Sequence, residues 1–340
     1  MIDYLTLILD LKDYEHLWER VSRYARNHWQ IQKWNPVTGE VEWSQPCRES
    51  VRSDTHQITL QVSPSRVKVS GSPARAMGLP NNVFGSDDLI ECGRAHIDFA
   101  RRVLSDLALP GLPAWKIARV DKTYNYAFGS AAEVRQALAY LGQFDGGRYK
   151  ADTRHGDTAY WSPGSNLRSS KAYLKGLHLL YQIRKGQASA EPWQVELANR
   201  LLRLELQLGS AWWNRRRKEP GFRQWSVDLY AEYQGYWSGL IGSVEVCEMS
   251  DLELFKKVAK TEGQALSAYR TWCLIKQIGH RAAMESMPRR TWYNHKKILN
   301  DAGLGWGDIA TGQIVPFRRR ALVMEQPVTS WEELKRLAAA

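Results

Sequence analysis

The spacing of apolar residues divides the chain into a mixed first part and a helical last part. Strands with one buried face are predicted over residues 2–9, 115–124 and 202–208. Apolar residues instead recur every three or four positions over 13–26 and 261–287, which is the period of amphipathic helices. Short links between the strands favour an antiparallel or mixed sheet over a doubly wound one. The pattern therefore predicts an α+β fold, with a mostly antiparallel central sheet, flanking helices and a helical C-terminal module.

Turn residues and helix-capping residues fill in the remaining elements and suggest three regions. Further strands are predicted at 56–62, 66–70, 157–161 and 169–175, a loop or hairpin at 32–55, and helices at 86–107, 131–141, 177–185, 192–201 and 289–302. Residues 1–215 are expected to form a catalytic domain. Residues 216–310 are expected to be mostly helical, with a helix-turn-helix-like segment at 272–303. Residues 311–340 form a basic tail that ends in a short helix.

Composition limits the function classes. With 340 residues, 44% of them apolar, the chain can bury a substantial core. No run of about 18 apolar residues predicts a membrane span, and the N-terminus lacks the features of a signal peptide. Four cysteines without metal or redox spacing favour a reduced compartment such as a cytoplasm. The net charge of +11 favours a polyanionic partner, nucleic acid above all, although a basic protein without such a partner is the alternative.

Two predicted strands carry similar polar faces. Period-two alternation places Arg119 and Asp121 on one side of the first strand, and Arg203 and Glu205 on the side of the second strand that lies opposite four leucines. If both strands lie in one sheet, the two carboxylates converge. Carboxylate oxygens are the ligands that Mg²⁺ and Mn²⁺ prefer. The alternative interpretation is a ladder of opposite charges on a solvated sheet face.

A third strand carries a tyrosine between two lysines. In the predicted strand 169–175, alternation puts Lys171, Tyr173 and Lys175 on one face. The lysines would favour an ionised phenol and would neutralise charge on a phosphate, so that Tyr173 is a candidate nucleophile for a phosphodiester. The alternative is an ordinary strand tyrosine.

The helices around Pro288 resemble a helix-turn-helix. In the second helix, Arg290, Asn294 and Lys297 share one face. Arginine and asparagine are the side chains that read guanine and adenine in the major groove. The sequence therefore predicts a duplex-reading module, with a solvated basic helix packed on the rest of the protein as the alternative.

Several short segments follow one another in the order found in a known family. They are Gly-Ser-Pro-Ala-Arg (71–75), Asn-Val-Phe-Gly-Ser-Asp-Asp-Leu (82–89), Ala-Arg-Val-Asp (118–121), Thr-Ala-Tyr-Trp (158–161), Ala-Tyr-Leu-Lys (172–175), Leu-Arg-Leu-Glu (202–205) and Met-Pro-Arg-Arg (287–290) followed by Trp292. By these segments the chain resembles the replication initiators of filamentous phages, the gene-two class of strand-specific nickases. It resembles the rolling-circle initiators of Gram-positive plasmids more distantly.

The resemblance implies a nicking and rejoining activity at an origin of replication. Tyr173 would attack the DNA, with Lys175 and Lys171 at the phosphate. Asp121 and Glu205 would hold Mg²⁺ or Mn²⁺. The partners would be double-stranded origin DNA and the nicked single strand, with host helicase and polymerase acting afterwards. The predicted DNA contacts are Arg119, Arg203, Arg289, Arg290, Asn294 and Lys297.

One position departs from the family pattern, and two other functions stay open. Where the family tends to place a glutamate five residues after the tyrosine, this chain has His178, which is a metal ligand or general base in one interpretation and a bystander in the other. The first alternative function is an origin-binding regulator of the same fold without chemistry. The second is a relaxase or transposase, which would normally show a histidine pair that this chain lacks.

Overall fold

The computed structural model of the protein describes residues 1–28, 30–46, 49–52, 58–63, 65–142, 151–155, 157–241, 251–305, 309 and 327–339. The strands are β1 (Ile2–Asp10), β2 (Gln30–Trp34), β3 (Val41–Pro46), β4 (Glu49–Arg52), β5 (Ile58–Ser63), β6 (Arg66–Gly71), β7 (Trp115–Ala127), β8 (Ala151–His155), β9 (Thr158–Trp161), β10 (Arg168–Leu174) and β11 (Leu201–Leu208). Together with the helices they form an α+β fold, which confirms the predicted class.

Most of the described helices flank the sheet, and three of them in the last part of the chain form a core of their own. They are α1 (Glu15–His28), α2 (Pro73–Ala76), α3 (Leu89–Val103), α4 (Ala131–Leu141), α5 (Lys175–Arg184), α6 (Pro192–Ala198), α7 (Ser210–Arg216), α8 (Leu229–Ile241), α9 (Asp251–Val258), α10 (Glu262–Glu285), α11 (Arg289–Asp301) and α12 (Trp331–Ala339). No helix in the described part of the chain is long and apolar enough to span a membrane.

A single large sheet organises the first part of the described structure. Its strand order is β4-β5-β6-β1-β7-β11-β10-β9-β8, and every neighbouring pair is antiparallel. β2 and β3 form a separate hairpin that begins two residues before the predicted loop or hairpin of 32–55, whereas β4, which lies in the same predicted segment, is an edge strand of the large sheet. The long strand β7 lies near the middle of the sheet, between β1 and β11. The two strands with matching polar faces are therefore direct neighbours.

One face of the sheet is the main hydrophobic core. The alternating apolar residues of β1, β6 and β11 pack there against α1, α3, α4 and α8, with the buried side chains Leu7, Val69, Leu204, Ile97 and Trp237 among them. Burying a side chain of this size stabilises a fold by roughly 1.5–3 kcal/mol, so the leucine pattern decides which way β11 faces. Because side chains alternate along a strand, the polar residues of the same strands all emerge on the other face.

The last helices have a core of their own. Trp272 and Ile275 of α10 pack against Trp292 and Leu299 of α11, together with residues of α9. α10 is broken at Gly279, where φ is +80° and the chain turns before its last helical stretch. The sequence pattern predicted one continuous helix over 261–287 and did not show this break; the turn at Pro288 and the second helix after it lie where they were predicted.

The C-terminal helix returns to the sheet domain. The backbone N–H of Val328 donates to the carbonyl of Asn125 over 2.8 Å, and the ring of Trp331 lies edge-on to Phe84 at 5.0 Å between centroids. These residues belong to a small third core with Leu179 of α5. α12 thus packs beside the helices that follow β10.

Several predicted boundaries need correction. Strand β10 ends at Leu174, and α5 begins at Lys175, two residues earlier than predicted. The helix predicted from residue 86 begins at Leu89, and its N-cap is Asp88, whose side chain accepts from the N–H groups of Ile90 and Glu91. α8 belongs to the sheet core, so that core extends beyond residue 215, where the sequence was divided. Most of the predicted basic tail lies outside the described residues.

Candidate functional site

Tyr173 lies near the end of β10, on the polar face of the sheet. Its hydroxyl donates a hydrogen bond to Oε1 of Glu205 on β11. The Nζ of Lys171 is 2.9 Å from Oε2 of the same carboxylate and 4.9 Å from the centre of the Tyr173 ring. The sheet register explains the cluster, because Lys171 lies directly opposite Glu205. The candidate nucleophile, a carboxylate and a cation thus form one bonded group.

The phenol of Tyr173 is neutral in this arrangement. Burial raises its pKa well above the usual range, and the neighbouring Glu205 raises it further, while Arg203 opposes the shift. Only 4% of the residue is exposed. The prediction that the flanking lysines favour an ionised phenol is therefore wrong for this conformation. The hydroxyl proton is held on the tyrosine and directed at the carboxylate.

Lys175 has a different place from the one predicted. It is the first residue of α5 and is completely buried, and its Nζ donates to Oδ1 of Asn82 over 2.9 Å. Burial, followed by the charge of Arg203, lowers the pKa of its ammonium group well below the usual range. A strand-like alternation of Lys171, Tyr173 and Lys175 is therefore not formed. Lys175 supports the floor of the site and is not open to a phosphate in this conformation.

Arg203 is the centre of a buried polar network. Its Nη1 lies 3.2 Å from Asp3 and 2.8 Å from the carbonyl of Asn82, and its Nε donates to Oδ1 of Asn125 over 2.7 Å. The second Nη donates to the carbonyl of Val83. The side chain is 0% exposed, so the prediction that Arg203 contacts DNA does not fit its position. It ties β11 to β1, β7 and the segment before α3.

Asp121 and Glu205 line one small pocket, as the convergence of their strands predicted. The pocket has a volume of about 220 Å³ and is also lined by Lys171, Tyr160 and Gln207. Arg119 binds both oxygens of Asp121, with Nε at 2.8 Å and Nη2 at 2.6 Å. Burial raises the pKa of both carboxyl groups, although the neighbouring cations counteract it.

The donor groups suit a divalent ion only in part. Carboxylates such as Asp121 and Glu205 are appropriate for Mg²⁺ or Mn²⁺, yet Arg119, Lys171 and the Tyr173 hydroxyl already engage their oxygens. The ring of His178 packs edge-on against Tyr173 at 5.3 Å, and burial lowers its pKa to about 3, so its ring is neutral. Among the residues described, no three His, Cys, Asp or Glu side chains form a metal-binding group.

Sequence reasoning missed three polar residues of this site. Asp3 and Asn82 link Arg203 to Lys175, and Asn82 donates from Nδ2 to Asp3 over 2.8 Å. Asn125 accepts from Arg203 and donates to the carbonyl of Val83. Asp3 is an acid near the start of a largely apolar strand, which is an indication that was present in the sequence. Asn82 lies in the segment 82–89, which is one of those that carry the family resemblance.

The predicted DNA-reading residues of α11 are exposed. Arg289, Arg290, Asn294 and Lys297 all point away from the second core, into which Trp292 of the same helix packs. α11 is fixed to α10 on its other side, where a ring nitrogen of His295 lies 2.8 Å from the hydroxyl of Thr271. The helix therefore presents its basic side outward from a rigid support.

The fold is thus an antiparallel sheet with flanking helices, and one polar face of the sheet carries the clustered charges of Lys171, Arg203 and Glu205. The family whose model matches the chain is described as the N-terminal region of a phage replication-associated protein, the gene-two protein, and the match covers residues 1–234. The chain belongs to this family of phage replication proteins. The resemblance to filamentous-phage initiators is thereby confirmed. No curated protein sequence matches the chain.

Proposed function

We propose that the protein initiates rolling-circle replication by nicking one origin strand through Tyr173 and later rejoining the displaced strand. The observation that carries the proposal is the bonded group of Tyr173, Glu205 and Lys171 on the polar sheet face of a phage replication protein. A phosphotyrosine bond would conserve the energy of the cleaved phosphodiester, as rejoining requires. Host helicase and polymerase would act after the nick.

The geometry suggests how the proton moves. The Tyr173 oxygen attacks phosphorus while its proton passes to Oε1 of Glu205, to which it is already bonded. The bond from phosphorus to the 3′ oxygen breaks, and that oxygen takes a proton from solvent. Rejoining runs the same steps backwards. The raised pKa of Glu205 makes it a better proton acceptor than an ordinary carboxylate, and Lys171 stabilises charge beside it.

The proposal includes a divalent metal ion bound at Asp121 and Glu205. These two carboxylates would hold a Mg²⁺ or Mn²⁺ ion, and His178 is the third predicted ligand. When bound, such an ion would neutralise the charge of the scissile phosphate. Binding at Asp121 would require Arg119 to give up its two hydrogen bonds. Arg119 would then be available to the phosphate as a second cation.

The test compares wild type with Tyr173→Phe on a supercoiled plasmid that carries the replication origin of the element encoding the chain. We expect nicked circles with protein on the 5′ end from the wild type only, in Mg²⁺ or Mn²⁺ and not in EDTA. The phenylalanine variant loses only a hydroxyl, so its DNA affinity should be retained. Nicking by Tyr173→Phe at the wild-type rate would refute the assignment.

Origin recognition is assigned to the outward side of α11. Arg290→Ala should weaken binding to an origin duplex by about 1–3 kcal/mol while leaving binding to unrelated duplex nearly unchanged. Arg270→Ala on α10, which is also exposed, removes the same charge from the supporting helix and serves as the control. Equal losses for the two variants would mean that α11 contributes charge without reading sequence.

One observation favours a second function. Tyr173 is 4% exposed and its phenol is neutral, as expected of a structural tyrosine in an origin-binding regulator that does no chemistry. This alternative predicts origin binding without any covalent adduct. The same nicking experiment separates the two, because denaturing gel electrophoresis detects a protein–DNA adduct directly.

A further inference from the structure

A groove crosses the polar sheet face on the side of β7 away from Tyr173. Strands β5, β6, β1 and β7 form its floor, and the start of α7 and the segment around Asn166 form its wall. Its volume is about 930 Å³, more than four times that of the pocket at Glu205. Arg119 and Gln207 line both cavities, so the groove leads directly into the candidate site.

The groove is rich in positive charge. Its lining contains one carboxylate, Asp10, and five cations, which are Arg66, Lys68, Lys116, Arg119 and Arg217. Arg119 and Arg217 are held by hydrogen bonds to the protein. Arg66 and Lys68 have no ion pair with any carboxylate of the described residues, and Lys116 is 3.9 Å from Asp10 at its nearest approach. Arg66 and Lys68 are thus unpaired among the described residues, and Lys116 has a long ion pair, with the exposed end of its side chain still able to meet an outside anion.

The arrangement of these cations suits neighbouring phosphates of one nucleic-acid strand. Arg66 and Lys68 are two residues apart on β6 and so are separated by about 6.4–6.8 Å along the strand. Lys116 lies level with Lys68 but two strands away on β7, because both residues are opposite Ile8 of β1, so the three cations bound a corner of the groove floor. The remaining lining is mostly hydroxyl and amide groups, which can bind phosphate and sugar.

The size of the adjoining pocket favours one strand over two. At about 220 Å³ it is smaller than the roughly 300–1,000 Å³ of typical ligand sites, so it has less room for a duplex than for one strand. We therefore expect a strand that reaches Glu205 to be unpaired and to continue along the sheet face into the groove. A positively charged groove that follows the backbone is the general device for binding single strands.

We propose that this groove, with Arg66, Lys68 and Lys116 as its phosphate contacts, binds the single DNA strand on one side of the cut. The inference rests on the proposed nicking function for its biological use. The groove fixes the path of the strand, and α11 finds the duplex origin. Sequence selection and strand holding are thereby assigned to different parts of the chain.

The test measures binding of fluorescein-labelled polythymidine by the full chain carrying Tyr173→Phe, so that no covalent chemistry contributes. The triple variant Arg66→Gln/Lys68→Gln/Lys116→Gln should bind on the order of 10- to 100-fold more weakly at moderate salt. The slope of log affinity against log salt should fall by about 2, since each lost phosphate contact contributes about 0.7 on a single strand.

A charge-matched control lies on the opposite side of the sheet. Arg20→Gln/Arg94→Gln/Arg102→Gln removes three exposed cations from α1 and α3, which pack on the apolar face. This variant should keep the wild-type salt slope, and thermal unfolding should confirm that both triple variants remain folded. Equal weakening by the two variants, or none by the groove variant, would overturn the inference. Equal loss of unrelated duplex binding by the groove variant would overturn its single-strand character.

The outcomes separate this inference from the proposed function. If the wild type fails to nick but the groove variant alone loses single-strand affinity, the groove is confirmed and the nicking proposal fails. If the wild type nicks through Tyr173 while the groove variant binds polythymidine normally, nicking is confirmed and the groove is refuted.

Discussion

Charged side chains have two different environments on the polar face of the sheet: in one half they are buried and paired, and in the other they are exposed. Around Tyr173, charged groups are buried and bonded to one another, with Arg203 paired to Asp3 and Lys171 to Glu205. Across β6 and β1, Arg66 is exposed and has no ion pair among the described residues. Both halves belong to the same sheet, so the difference does not come from strand geometry. It comes from how far the rest of the protein shields each half from solvent.

The difference in solvent access explains why the two halves of the face suit different functions. A charge removed from water is costly unless it is paired, so the closed half must satisfy its own groups, and their positions are thereby fixed. Fixed groups are what a chemical step needs. A solvated cation costs little to leave unpaired, and an arriving phosphate can bind it. The closed half is suited to chemistry and the open half to holding the strand.

The largest expected effect tests whether the closed half holds the fold together. Arg203→Met should lower the free energy of unfolding by about 3–5 kcal/mol, because it leaves the buried Asp3 and Asn125 without their partner. Urea unfolding followed by tryptophan fluorescence measures the loss. The double variant Asp3→Asn/Arg203→Met should recover part of it. A loss below about 1 kcal/mol would show that the network contributes little.

The next largest effect concerns the proton transfer from Tyr173 to Glu205 in the same closed half of the sheet face. Glu205→Gln should retain a hydrogen bond from Tyr173 but cannot take its proton, so nicking should fall by on the order of 10²- to 10³-fold. In the wild type, nicking should decline as the pH falls through the raised pKa of Glu205, because the protonated carboxyl accepts no proton. The variant should lack that decline. If it keeps the wild-type pH profile, Glu205 does not accept the proton, and its part is limited to positioning Tyr173 or holding the metal ion.

A pH measurement examines the charge pairing of Asp3. Burial by itself raises the pKa of this carboxyl, but Arg203 and Lys175 outweigh it and lower the value to about 2. The folded state then holds the ionised form more strongly than the unfolded chain does, so this stabilisation is complete above pH 3.8 and is lost as the pH falls through about 2. Between pH 5 and pH 2 the wild type should lose about 2 kcal/mol more than Asp3→Asn. Parallel losses would contradict the pairing.

The sequence predicts well what depends on local alternation. Four leucines fix the facing of β11, and that facing places Glu205 on the polar side near Asp121, as predicted. The alternation of apolar and polar residues does not show where a strand ends and the following helix begins. At Gly176 an added Cβ would lie 2.6 Å from the backbone nitrogen of Asn199, so the glycine permits close packing of α5 beside α6. Lys175, directly before this glycine, is the first residue of α5 and so does not lie on the strand face.

The sequence could not predict the protonation of Tyr173 or the role of Arg203. The partner of the tyrosine lies 32 residues away, and the pairing of Arg203 with Asp3 spans 200. Both outcomes depend on burial by elements that only the assembled fold brings together. A residue pattern identifies which side chains share a face; solvent access decides which of them are free to act.

The smallest expected effect completes the comparison. Arg66→Met makes the same substitution as Arg203→Met, yet it should change the free energy of unfolding by less than about 0.5 kcal/mol, because the Arg66 side chain is exposed and has no ion pair among the described residues. The same urea titration measures it. The effect of this variant should appear on single-stranded DNA instead, as a salt slope lower by about 0.7. A stability loss approaching that of Arg203→Met would remove the distinction, because charge on both halves would then support the fold.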